Sequence, residues 1–331
     1  MTTDNIYPWQ QPLWQRFTTQ TQRLPHALLL HGKAGIGKLA FAQSLSKALL
    51  CAQPKQGRAC NVCAQCGWFN EGGHPDFKYI TTEDTEPSEE SPKKKASKKT
   101  QIAVEQIRTL IQALSLSNHG HDSLRVVLIH PAEALNLASA NALLKILEEP
   151  PNNTVFLLVA HQLQRLLPTI ISRCQKIDMP VPSKTEALAW LSTQPIEQPE
   201  ALLDYAGGSP LLALKNWDEM AVKSQVFALL GQGAQADIQQ CVSLMLAEGM
   251  EQAITMLQKW VHDLLLSRFS LAQHYHAQHG KALQLLAKSV NLKQLLSFQR
   301  TLLQAKQTAQ HPLSAELQLE NLLVHYKRLF I

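Results

Sequence analysis

Residues 26–39 read His26-Ala-Leu-Leu-Leu30-His31-Gly32-Lys33-Ala34-Gly35-Ile36-Gly37-Lys38-Leu39. A short apolar run enters a glycine-rich turn, and apolar residues at helical spacing follow from Leu39 to Leu50. Strand, loop and helix in that order are the setting of a phosphate-binding loop, G-x-x-x-x-G-K-[ST]. There the backbone N–H groups cradle phosphates, the lysine reaches them, and the last hydroxyl ligates Mg²⁺. Gly32, Gly35, Gly37 and Lys38 fit the pattern, but Leu39 stands where the hydroxyl is needed. A second departure falls in the same site. The apolar strand Arg125-Val-Val-Leu-Ile129 runs into His130-Pro131, where a hydrolysing site places acidic residues that hold the metal and polarise the attacking water. Together these departures predict a nucleotide fold that does not hydrolyse nucleotide. Two readings of the loop itself stay open: its N–H groups still offer an anion site at a helix N-terminus, or the glycines serve the tight turn alone with Lys38 exposed.

Working outward, Phe77–Ile80 and Val155–Val159 read as further strands. Between them lie an amphipathic helix marked by Ile102, Ile107, Leu110, Ile111 and Leu114, and a helix from about Ser139 to Glu149 ended by Pro150-Pro151. The alternation predicts an α/β domain over residues 1–178, with a parallel sheet covered on both faces. Residues 81–100, Glu/Ser/Pro-rich and then Lys-rich, cannot bury apolar surface and read as a disordered, solvated insertion. Beyond Asp178, prolines 180, 182, 195 and 199 punctuate a small helical unit over 179–215, in which Ser183 and Glu186 form a plausible capping box. Long helical patterns from 218–231 to 313–329 predict an all-helical third domain over 216–331.

The chain has 331 residues, 45% of them apolar, and a net charge of +5 spread along its length. That charge permits nucleic-acid contact without demanding it. No apolar run approaches the ~18 residues of a membrane span, and the first residues lack the basic and apolar regions of a signal peptide, so a cytoplasmic chain is expected. Cys51, Cys60, Cys63 and Cys66 follow a C-x8-C-x2-C-x2-C spacing. Four thiolates so grouped complete the tetrahedral shell of a structural Zn²⁺; an iron–sulfur cluster, free thiols or a disulfide are the alternatives. Cys174 and Cys241 stand apart and are expected to fill core space. His274, His276 and His279 lack the spacing of a metal site and any carboxylate nearby in sequence, and read as a polar loop at a helix end.

Residues 139–174 carry a more specific pattern: Ser139-Ala-Asn-Ala-Leu-Leu-Lys-Ile-Leu-Glu-Glu-Pro-Pro151, then Phe156-Leu-Leu-Val-Ala160, then Ser172-Arg173-Cys174. This stretch resembles the clamp-loader branch of the AAA+ ATPases. The cysteine cluster after the phosphate-loop helix resembles the zinc module of the bacterial DNA polymerase III clamp loader. The specific likeness covers about the first 215 residues. It implies an AAA+ domain with a zinc module at 51–66, a small helical lid and a helical collar. It also implies that Arg173 acts as an arginine finger, in trans, on ATP held by the neighbouring subunit of a five-membered ring. The chain departs from the ATP-hydrolysing subunits at Leu39, at His130-Pro131 and at Gly207-Gly-Ser-Pro210-Leu211, where those subunits place a sensor arginine. The resemblance therefore implies a non-hydrolysing stator, a non-polymerising subunit of a DNA-directed DNA polymerase (nucleotidyltransferase) holoenzyme. Its implied partners are the motor (gamma/tau) subunits, the delta subunit and, through the complex, the sliding clamp and primed DNA. The alternatives are a motor-type ATPase with an atypical site and a zinc-stabilised DNA-binding module.

Overall fold

A computed structural model describes residues 6–19, 24–82, 101–116, 123–308 and 314–330; residues 83–100 of the expected insertion lie outside them. The chain divides into two compact units, Met1–Pro182 and Ser183–Ile331.

The first unit is built on β1 (Ala27–His31), β2 (Phe77–Ile80), β3 (Arg125–Ile129), β4 (Thr154–Ala160) and β5 (Gln175–Asp178). They form one sheet in the order β2-β3-β4-β1-β5, with every pairing parallel. Parallel neighbours need crossovers, and helices supply them on both faces. Leu28, Leu30, Leu128 and Leu157 point to one side, against Trp14 and Phe17 of α1 (Gln11–Thr19) and Phe41 and Leu45 of α2 (Lys38–Leu50). Leu29, Ile129, Phe156 and Leu158 point to the other, against Ile107 and Leu110 of α4 (Val104–Leu116) and Leu143 and Ile146 of α5 (Leu137–Glu148). The short α3 (Ala64–Asn70) and α6 (Pro168–Ile171) complete the unit. Because β4 is buried on both faces along its whole length, it reads in sequence as an unbroken apolar run.

Elements of this unit that the sequence reading does not include are β5, α1 and the short α3. The edge strand β5, Gln-Lys-Ile-Asp, is mostly exposed and carries no run of apolar residues. Helix α1 precedes the phosphate loop and packs Trp14 edge-on against Phe41 at 5.4 Å between ring centres.

The second unit is wholly helical among its described residues. Its helices are α7 (Lys184–Leu191), α8 (Pro199–Tyr205), α9 (Pro210–Asn216), α10 (Met220–Leu230), α11 (Ile238–Leu246), α12 (Met250–Arg268), α13 (Gly280–Ser289), α14 (Leu292–Thr308) and α15 (Ala315–Lys327). The expected capping box closes α7: Ser183 Oγ accepts from Glu186 N, and the Glu186 side chain accepts from Ser183 N. A small apolar cluster of Ala187, Leu191, Leu202, Leu203 and Ala213 joins α7, α8 and α9. A larger one surrounds Trp260, whose Nε1 donates to Tyr326 Oη at 2.8 Å while that hydroxyl donates to Leu230 O at 2.7 Å. Both buried polar tips are thereby satisfied.

The histidine stretch corrects its sequence reading. His276 is buried, and its carboxylate partner comes from α12: fully buried Asp263 lies 2.9 Å from His276 Nδ1. Asp263 also accepts the backbone N–H groups of His274, Tyr275 and His276 at 2.7–2.9 Å. One carboxylate therefore organises the chain between α12 and α13. Asp263→Ala is expected to leave these donors buried and unpaired at a cost of about 3 kcal/mol, read as a lower midpoint of urea unfolding; an unchanged midpoint would refute this role.

Candidate phosphate loop, metal centre and arginine site

The loop between β1 and α2 is folded as a phosphate loop, with positive φ at Gly32 (142°), Gly35 (76°) and Gly37 (88°). It is also filled from within. Lys38 is 2% exposed, and its Nζ donates to the loop's own carbonyls, Gly32 O at 2.7 Å and Lys33 O at 2.6 Å. The reading that leaves Lys38 exposed is thus corrected. Burial pushes its ammonium down to about 8, against the pull of Glu133.

The segment ahead of α1 props the loop. Trp9 Nε1 and Gln10 Nε2 both donate to Ile36 O, at 3.0 and 2.8 Å. The Tyr7 ring lies over Gly37, where an added Cβ would come within 2.4 Å of it. Close approach and left-handed backbone both require glycine at 37.

The metal side of the site is equally altered. At the end of β3, where a Walker B acid would stand, His130 faces His161 edge-on at 5.4 Å. Burial and the neighbouring His161 and Lys38 push His130 down to about 4, and burial with Lys38 does the same to His161, so both imidazoles are neutral at pH 7. Mg²⁺ takes oxygen ligands, which neutral imidazole and leucine do not supply. Glu133 commits Oε1 to the backbone N–H of His161 at 2.9 Å. Tyr7, Trp9, Gln10, Glu133 and His161 were not legible as site residues, because only the sheet brings them to the loop.

The four cysteines converge. Their Sγ atoms all lie within 4.8 Å of one another, and Cys51 and Cys63 are 3.9 Å apart. Tetrahedral zinc with bonds of about 2.3 Å sets its sulfurs roughly 3.8 Å apart. None of the four is in a disulfide. The Cys60 N–H points at Cys51 Sγ, 3.2 Å away, and backbone N–H groups led by that of Cys66 draw the Cys63 thiol down to about 6. Burial pushes Cys66 up to about 12. Four cysteine sulfurs so placed fit a closed structural Zn²⁺ site, which would hold them as thiolates and leave no position for substrate. Lys47 of α2 hydrogen-bonds Asn61 within this module, tying it to the phosphate-loop helix.

Arg173 is placed by its neighbours in sequence. Cys174, buried as expected, anchors the chain between α6 and β5, and Arg173 projects outward, one-third exposed. β5 runs parallel to β1, with Gln175 beside Leu28 and Asp178 beside His31. The phosphate loop leaves the far end of that ladder. At about 3.3 Å per residue the strand alone separates the two by roughly 10 Å along the sheet, and Arg173 and the loop lie at opposite sheet ends.

The family described as "DNA polymerase III, delta subunit" matches residues 9–183. The DNA polymerase III subunit delta' of Pseudomonas aeruginosa is 36% identical over 345 aligned positions, covering 98% of each chain. That of Escherichia coli K12 is 32% identical, covering 82% of this chain and 78% of its own. The chain belongs to the DNA polymerase III delta-prime family. As a delta-prime clamp-loader subunit it combines an AAA+ sheet, a cysteine metal centre and a phosphate loop with Leu39 at the position of the metal-ligating hydroxyl. No described helix of this delta-prime chain is long and apolar enough to cross a membrane.

Proposed function

We propose that this chain is the non-hydrolysing stator of its clamp loader and gives Arg173 in trans to ATP bound by a neighbouring motor (gamma/tau) subunit. The observation that carries this reading is the polarity of the sheet. Its own loop, at one end, has Leu39 and His130-Pro131 where the hydroxyl and the acids of catalysis would stand, while the arginine stands at the other end. A guanidinium reaching a transferring phosphoryl group steadies the charge developing on its oxygens. The motor subunits, the delta subunit and, through the complex, the sliding clamp and primed DNA are the proposed partners. Residues 1–178, 179–215 and 216–331 serve as AAA+, lid and collar domains in this reading.

The isolated chain is expected to show no Mg²⁺-dependent ATP turnover beyond that of Lys38→Ala, since Leu39 and His130 offer no oxygen to the metal. Turnover that disappears in Lys38→Ala would instead mark a motor-type ATPase.

A further inference from the structure

Glu148 is the last residue of α5, the end of a helix at which the macrodipole disfavours an anion. What it gains there is Arg173. A Glu148 oxygen pairs with Arg173 Nη2, while Nη1 donates to Thr169 O at 2.9 Å, with Ser172 Oγ at 3.4 Å. The guanidinium is thus fixed at both terminal nitrogens by groups from α5 and from the α6 turn. Both elements are anchored on one face of the sheet, through Leu143 and Ile146 on one side and Ile170 on the other. A guanidinium carries more N–H donors than these contacts use, so donors remain for phosphate oxygens.

We propose that Glu148 is a positioning residue for Arg173, holding the guanidinium in the orientation from which it meets the neighbouring subunit's nucleotide. The inference rests on the finger reading of Arg173. An arginine side chain has many rotamers, and fixing it before the phosphate arrives removes part of the entropy lost in reaching the transition state. The opposite role is also physical: a counter-ion that must be displaced would slow the reaction, and its removal would speed it.

The test uses the reconstituted clamp loader carrying Glu148→Ala, Glu148→Gln, Arg173→Ala or Glu148→Ala with Arg173→Ala. Glu148→Ala is expected to lower the Arg173-dependent part of kcat about two- to fivefold, the range over which an exposed ion pair biases a side chain. KM for ATP should hold, because ground-state binding belongs to the neighbour's own loop. Glu148→Gln keeps an acceptor and should recover part of the loss. In the Arg173→Ala background, Glu148→Ala should change nothing further. A Glu148→Ala rate equal to or above that of the unmodified complex, with Arg173→Ala slow, would overturn the positioning role alone. A Glu148 effect that persists without Arg173 would also overturn it, by marking a purely structural contact. If Arg173→Ala itself runs at full rate, the finger reading fails and this inference with it.

Discussion

Replacing Cys60 and Cys63 together by serine is expected to abolish stoichiometric zinc and to unfold the segment around residues 51–70. The module has almost no apolar core to fall back on. Its buried cluster consists of Cys51, Ala59 and Cys66, with Cys60 and Cys63 packed against it, so the ligands are themselves the core. Val62, at 85% exposure, contributes nothing to it. In such modules metal binding and folding are one free energy, on the order of 10 kcal/mol in zinc-finger peptides. Unfolding should stay local, because Phe69 and Phe77 pack at 4.6 Å between ring centres and pin the far end of α3 to the sheet. Trypsin offers a direct reading. Lys55 and Arg58 face each other across a tight backbone bridge. Cleavage after either residue should appear in the double variant, and in the unmodified protein after chelation, but not in the untreated unmodified protein. Metal analysis finding no zinc in the unmodified protein, or resistance unchanged by chelation, would remove the metal from the account.

The parts of this fold that were legible in sequence are those whose burial leaves a pattern. β1, β3 and β4 are apolar on both faces and read as short runs, and Pro150-Pro151 marks the end of α5. The cysteines were legible because ligand spacing is local. What stayed hidden depends on contacts between distant segments. Nothing in Gln175–Asp178 announces a strand, since an exposed edge needs no apolar residues, yet this edge sets where Arg173 stands relative to the loop. Tyr7 and Trp9 precede the loop by nearly thirty positions and meet it only once α1 has packed on the sheet. His276 looked solvated because its partner, Asp263, comes from the preceding helix and is invisible at the spacing of the histidines themselves. For the degenerate loop the sequence left two readings open, an anion site or a bare turn with Lys38 exposed, and the exposed lysine is the part the structure corrects. The structure turns that lysine onto the loop's own carbonyls, a satisfied state that needs no phosphate.

Arg173→Ala should leave this chain folded and able to assemble, yet slow ATP hydrolysis by the reconstituted complex by up to about twofold, the share of the single site that the arginine serves. The fold is spared because the side chain is partly exposed and its bonds are peripheral: one to Glu148, one to a carbonyl at the end of a short helix. Cys174, which anchors the same turn in the core, is untouched. At the site it serves, a finger contributes ~10³–10⁵ in rate. The loss expected for the whole complex is smaller, because in the proposed ring the sites served by other arginines would continue to turn over. Arg173→Lys separates charge from shape. A lysine keeps the positive charge but loses the planar fork that engages phosphate oxygens, so it should recover little of the rate. Full recovery by lysine would reduce the role to simple electrostatics. A complex containing Arg173→Ala that hydrolyses ATP at the unmodified rate would mean that Arg173 serves no neighbouring nucleotide.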